Sequence, residues 1–163
     1  MRTLKSMFQR VTVAPMVALE DLGVLVVDDE SSILRYAEIV LRKAGYRPVL
    51  ASSGAEALRL AATMERLDLL VTDLLMPEMN GDELARQLRQ RDPDLKVLYQ
   101  TGFSDRLFAE KAALWAGEAF VEKPYSTNAL KQAVSLLLFD CLQRPDMPEP
   151  CAATASEPAG ESR

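Results

Sequence analysis

Short apolar runs that stop abruptly, each followed by a longer stretch of helical periodicity, constrain this chain more than any other feature. The runs cover residues 23–27, 47–51, 67–72, 95–100 and 119–122. Most are continuous rather than alternating, as strands buried on both faces of a sheet require. Repeated strand-then-helix order predicts an α/β fold of the (βα)5 type: a five-stranded parallel sheet, doubly wound by helices.

The helical segments carry their own punctuation. Ile33, Ala37, Val40, Leu41 and Ala44 recur at spacings of three and four, and Gly45 follows as a left-handed cap that ends the first helix before Tyr46. A second helix begins near Ser53, where Glu56 three residues later makes a capping box, and continues through Ala57, Leu58, Leu60 and Ala61. The third groups Leu84, Ala85 and Leu88 on one face and stops before Pro93. A fourth is expected over about 104–116 and a fifth over about 127–141.

Residues 21–142 therefore hold the domain, with an extension on either side. Over residues 1–20, Leu4, Met7, Phe8 and Val11 at helical spacing allow a short amphipathic helix, although one that short is marginal in isolation. Residues 143–163 are rich in Pro, Ala, Glu and Ser and read as a disordered tail.

Composition narrows the function classes. The chain has 163 residues, 48% of them apolar, enough for one domain with a real core. Cys141 and Cys151 lack metal-ligand spacing and cannot frame a disulfide-rich fold. No apolar stretch approaches the roughly 20 residues of a membrane-spanning helix, and no export signal is recognisable, so the expected setting is cytoplasmic. A net charge of -5 argues against direct nucleic-acid binding, which draws on clustered Lys and Arg. The chain contains no histidine, which excludes a Ser-His-Asp triad, a histidine zinc site and a phosphohistidine donor within it.

Polar residues stand where the apolar runs end. Asp28 and Asp29 follow the first run, Asp73 the third, Thr101 the fourth and Lys123 the fifth. Each alone has an ordinary reading: a helix cap, a β-branched strand former, a surface lysine. Ligands of open α/β sheets, however, gather at the carboxyl ends of the strands. Three carboxylates, a hydroxyl and an ammonium at one edge suit a magnesium ion and a phosphoryl group. A carboxylate can itself attack phosphorus to give an acyl phosphate when a metal and a cation offset the anionic repulsion.

Four stretches carry a family resemblance. Val26-Val27-Asp28-Asp29-Glu30, the run from Val71-Thr72-Asp73 to Asn80-Gly81, Tyr99-Gln100-Thr101-Gly102 and Phe120-Val121-Glu122-Lys123-Pro124-Tyr125 resemble the receiver domain of bacterial two-component response regulators. The resemblance covers roughly residues 22–141 and implies a flavodoxin-like strand order 2-1-3-4-5. It also implies that Asp73 accepts a phosphoryl group from a phosphohistidine on a histidine kinase or histidine phosphotransfer protein. Asp28, Asp29, Asp73 and the backbone carbonyl of Leu75 would hold Mg2+, and Lys123 would pair with the phosphate. Thr101 would move toward a phosphate oxygen while Phe120 rotates into the vacated space. Gly102 would keep phosphate access open, and Pro124 matches a proline that often follows a cis peptide.

The resemblance further implies a phosphoacceptor switch rather than an enzyme, signalling to a downstream protein through the face of the fourth helix, fifth strand and fifth helix. Leu107, Phe108, Leu114 and Trp115, with Leu136, Leu137, Leu138, Phe139 and Leu142, exceed one core-facing stripe, so a homodimer or partner face is expected there. Leu75 and Phe103 are apolar where some relatives carry polar groups that help position water, so slow self-dephosphorylation is expected. A stand-alone receiver is the first reading, favoured by Met1 and the lack of an output domain after residue 141. The receiver module of a hybrid histidine kinase is the alternative. An aspartate-dependent phosphatase is a more distant one, because such enzymes place a second acid where Leu75 stands.

Overall fold

Both-face burial turns the apolar runs into strands of one sheet. The computed structural model describes residues 18–102 and 117–139. In it β1 (Val24–Val27), β2 (Val49–Ala51), β3 (Leu69–Asp73), β4 (Lys96–Thr101) and β5 (Glu118–Glu122) pair in parallel in the order β2-β1-β3-β4-β5. That is the expected flavodoxin-like order. Four α-helices are described: α1 (Ser31–Lys43), α2 (Gly54–Ala61), α3 (Gly81–Leu88) and α4 (Thr127–Phe139), the last being the helix expected fifth in the chain. The helix expected over 104–116, the N-terminal extension through residue 17 and the tail from residue 140 lie outside the described residues, as do Phe103, Leu107, Phe108, Leu114, Trp115 and Leu142.

Helix ends follow local chemistry. Gly45 takes φ +97° after α1, a conformation that costs glycine little. The Ser53 hydroxyl accepts from the Glu56 N–H at 3.2 Å and caps α2. Glu56 does not complete a standard box: its carboxylate accepts from the N–H and hydroxyl of Ser52, each at 2.8 Å, one residue earlier than expected. Asn80 caps α3 by accepting from the Glu83 N–H at 2.8 Å.

Alternation along the strands sends side chains to two separate layers. On one face Leu25, Leu70, Val97 and Tyr99 pack with Ala57 and Ala61 of α2 and Leu84 and Leu88 of α3, and the half-buried Phe120 joins them. On the other face Val24, Val26, Val71 and Leu98 pack with Val40 and Leu41 of α1 and Leu130 and Val134 of α4. Leu137, Leu138 and Phe139 lean on this second layer, whereas Leu136 is 63% exposed. Strand β5 starts at Glu118, one residue earlier than its apolar run, where Glu118 pairs in register with Val97 and its buried carboxylate meets the Arg89 guanidinium at 2.6 Å.

The loop after β3 is tied tightly. Glu78 has φ +66°, and the Met79 N–H donates to the Pro77 carbonyl at 2.7 Å, making a three-residue turn. Gly81 then donates to the Leu74 carbonyl at 2.9 Å. A Cβ at Gly81 would fall 2.2 Å from the Asp73 carbonyl oxygen, so α3 can start this close to β3 only on glycine. Gly81→Ala is expected to cost roughly 1–3 kcal/mol through this overlap. Urea unfolding should show a lower midpoint at unchanged slope.

Candidate functional site

The strand order delivers the polar run ends to one edge. β1 and β3 are neighbours, with Val27 in register with Thr72, so Asp28 and Asp73 emerge side by side. Carboxylate oxygens of Asp28, Asp29 and Asp73 lie within 4.8 Å of one another. Asp28 is fully buried, Asp73 half-buried and Asp29 exposed. Oxygens around an octahedral magnesium with bonds near 2.1 Å sit roughly 3–4 Å apart, so this donor set needs only a small closure to hold one.

Lys123 closes the cluster. Its ammonium donates to Asp28 Oδ2 at 2.7 Å and to Asp73 Oδ2 at 2.8 Å. The other carboxylate oxygens are oriented by main chain: Asp28 Oδ1 accepts from the Glu30 N–H at 2.9 Å, and Asp73 Oδ1 from the Leu75 N–H at 3.1 Å. Lys123 is held in turn by its own N–H, which donates to the Thr101 carbonyl at 2.8 Å. The Lys123–Pro124 peptide is cis.

Burial pushes the Asp28 carboxyl above its ordinary range; the Lys123 ammonium and the Glu30 N–H oppose this, and the Asp73 charge adds to it. Burial alone would lower the Lys123 ammonium, but hydrogen bonds to Asp28 and Asp73 outweigh it and leave the pKa raised. The edge thus holds a charged lysine between two acids, one of which is costly to ionise.

The remaining predicted residues flank this cluster. Thr101 is buried at the end of β4. A Cβ at Gly102 would meet nothing within 4 Å among the described residues. Phe120 is the register partner of Tyr99 and points into the layer of α2 and α3. Sequence reasoning missed Tyr36, Gln100 and Tyr125. Tyr36 and Tyr125, with Glu30, Ile33, Lys123 and Pro124, line a cleft of about 410 Å³ beside the acids. Of the three, only Gln100 carries a visible sequence signal, as a polar residue closing an apolar run.

Comparison with known proteins agrees with this architecture. The response regulator receiver domain family matches residues 24–135. The chain is 34% identical over 116 residues, 71% of its length, to the sensor kinase CckA of Brucella abortus, of which it spans 12%. It is 41% identical over 81 residues, 50% of its length, to the response regulator receiver protein CpdR of the same species, of which it spans 67%. A solved receiver protein from Sinorhizobium medicae superposes with TM-score 0.65 at 31% identity, over 74% of this chain and 97% of that one. The regulator TrrA of Thermotoga maritima, solved with Mg2+-BeF, gives TM-score 0.63 at 32% identity, over 72% and 99%. Together with the sheet order and the acidic edge, the match over residues 24–135 means that this chain belongs to the response regulator receiver domain family of two-component signalling.

Proposed function

We propose that Asp73 accepts a phosphoryl group from a phosphohistidine on a partner histidine kinase or histidine phosphotransfer protein, with Mg2+ bound by Asp28, Asp29, Asp73 and the Leu75 carbonyl. The observation that carries this reading is the Lys123 ammonium bridging Asp28 and Asp73 beside a third carboxylate. A bound magnesium would supply positive charge against the phosphoryl oxygens. An Asp73 oxygen attacks phosphorus in line with the P–N bond; that bond breaks, and its electron pair returns to the partner's imidazole, which takes a proton from solvent. Lys123 pairs with a phosphoryl oxygen as charge builds there.

The switch follows from the added dianion. The Thr101 hydroxyl turns toward a phosphate oxygen, and Phe120, which already packs inward, follows into the space beside it. The surface that changes comprises the helix expected over 104–116, β5 and α4, and it engages a downstream protein or a second copy of the chain; the exposed Leu136 supplies apolar area on α4.

The match to CckA favours a second reading, a receiver module of a hybrid histidine kinase. The chain spans only 12% of that kinase and 48% of the regulator PhoP of Bacillus subtilis. A kinase reading frame upstream and in phase would select this reading.

Incubation with Mg2+ and a panel of phosphorylated kinases should label the parent chain and leave Asp73→Asn unlabelled; label retained in that variant would remove Asp73 from its role. Because Leu75 is apolar, the acyl phosphate of the purified protein is expected to decay slowly. A lifetime of seconds would contradict that expectation.

Asp28→Asn separates stability from metal binding. The raised Asp28 pKa means that metal-free stability is highest while the group is protonated, and falls as pH rises from the ordinary aspartate value through the raised folded value. Asp28→Asn should therefore raise metal-free stability at neutral pH and flatten that part of the pH profile. The same variant should weaken Mg2+ binding by roughly tenfold or more, read by magnesium-dependent thermal shift.

A further inference from the structure

On the layer opposite Phe120, the Gln100 side chain is fully buried, one residue before Thr101. Its carbonyl oxygen accepts from the Tyr125 hydroxyl at 2.9 Å. Its amide nitrogen finds no partner among the described residues. A leucine or methionine here would fill the core without an orphaned donor, and leaving such a group unmatched is costly. What Gln100 provides in return is the bond to Tyr125.

That bond has a particular place. Tyr125 lies two residues after Lys123, and Gln100 is the register partner of Asp73. The segment carrying Lys123 is thus tied to β4 twice: the Lys123 N–H bonds the Thr101 carbonyl on one side of Pro124, and the Tyr125 hydroxyl bonds Gln100 on the other. Gln100 also fixes the start of the next loop, since its own carbonyl accepts from the Leu74 N–H at 3.2 Å. The Tyr125 ring is steadied from α1, with the Tyr36 ring 5.8 Å away at 46° and the Tyr36 hydroxyl 3.1 Å from Thr127 Oγ1. Burial, with the nearby charges and Tyr36, raises the Tyr125 hydroxyl's pKa, so it stays protonated and able to donate.

We propose that Gln100 and Tyr125 are positioning residues for phosphoryl transfer: their buried hydrogen bond ties the segment that carries Lys123 to the strand that carries Thr101, setting the distance between the ammonium and the acceptor Asp73. This rests on the roles proposed above for Asp73, Thr101 and Lys123. Neither residue touches the reacting atoms. Their effect is on how often Lys123 occupies its place when phosphorus is attacked.

The test uses the full chain with Mg2+ and acetyl phosphate as donor, followed by intact-mass measurement of the phosphorylated fraction. Tyr125→Phe keeps the ring and removes the bond. Tyr125→Phe combined with Gln100→Leu removes the bond and the stranded amide together, so its melting temperature should recover to at least that of Tyr125→Phe. Both variants are expected to label roughly threefold to tenfold more slowly at saturating donor, with the half-saturating donor concentration unchanged. A rate loss that persists in the double variant despite its recovered stability separates positioning from packing. If the double variant labels at the parent rate while Asp73→Asn stays unlabelled, the bond is only structural and the proposal falls, although the site reading stands. If Asp73→Asn is labelled, both fall.

Discussion

Lys123 sets its ammonium 2.7 Å from Asp28 and 2.8 Å from Asp73, and the arrangement of the whole C-terminal edge of the sheet depends on that bridge. Two acids emerge there from adjacent strands, one of them fully buried. Without a cation the pair would repel in a region of poor screening, and a buried lone charge is strongly unfavourable. The cation arrives from β5, two places away from β3 in the sheet, across roughly 10 Å of strand spacing. A long flexible stem suits that reach better than a short one, and the bond from the Lys123 N–H to Thr101 aims it.

The bridge compensates the acids without neutralising their cost. Asp28 remains raised in pKa although Lys123 and the Glu30 N–H both favour its charged form. A resting edge of this kind is held under electrostatic tension by a fold that is stable for other reasons. Ligands that bring positive charge, or that give Lys123 a stronger anionic partner, gain affinity from relieving it. The tight loop from Asp73 to Gly81 keeps Asp73 from moving away to relieve the tension itself, because Gly81 packs directly on the Asp73 carbonyl.

Much of this was legible in the residues. Val24 to Val27 and Leu69 to Thr72 read as central strands because every position is apolar or β-branched, and both are buried throughout. Gly45 marked a helix end because only a left-handed residue closes α1 there. The acids, Thr101 and Lys123 could be grouped because strand ends in a parallel sheet face one way. Other contacts were hidden for physical reasons. The buried place of Glu118 was hidden because its partner Arg89 is 29 positions away on another element. The Gln100–Tyr125 bond spans 25 positions and depends on which face of β4 each residue takes, which spacing alone does not fix. The Glu56 carboxylate chose Ser52 over Ser53, a choice made by local backbone geometry that sequence cannot resolve.

The two hydrophobic layers share no side chain, since alternation assigns each strand residue to one face or the other. Substitutions beneath α2 and α3 therefore reach α1 and α4 only through the backbone of the sheet. For an evolving lineage this is modularity inside a single domain: the side presenting α1 and α4 can drift to suit new protein contacts while the opposite side retains its packing. Strands β1, β3 and β4 are the common inheritance of both, as with Tyr99 committed to one layer and Leu98 to the other.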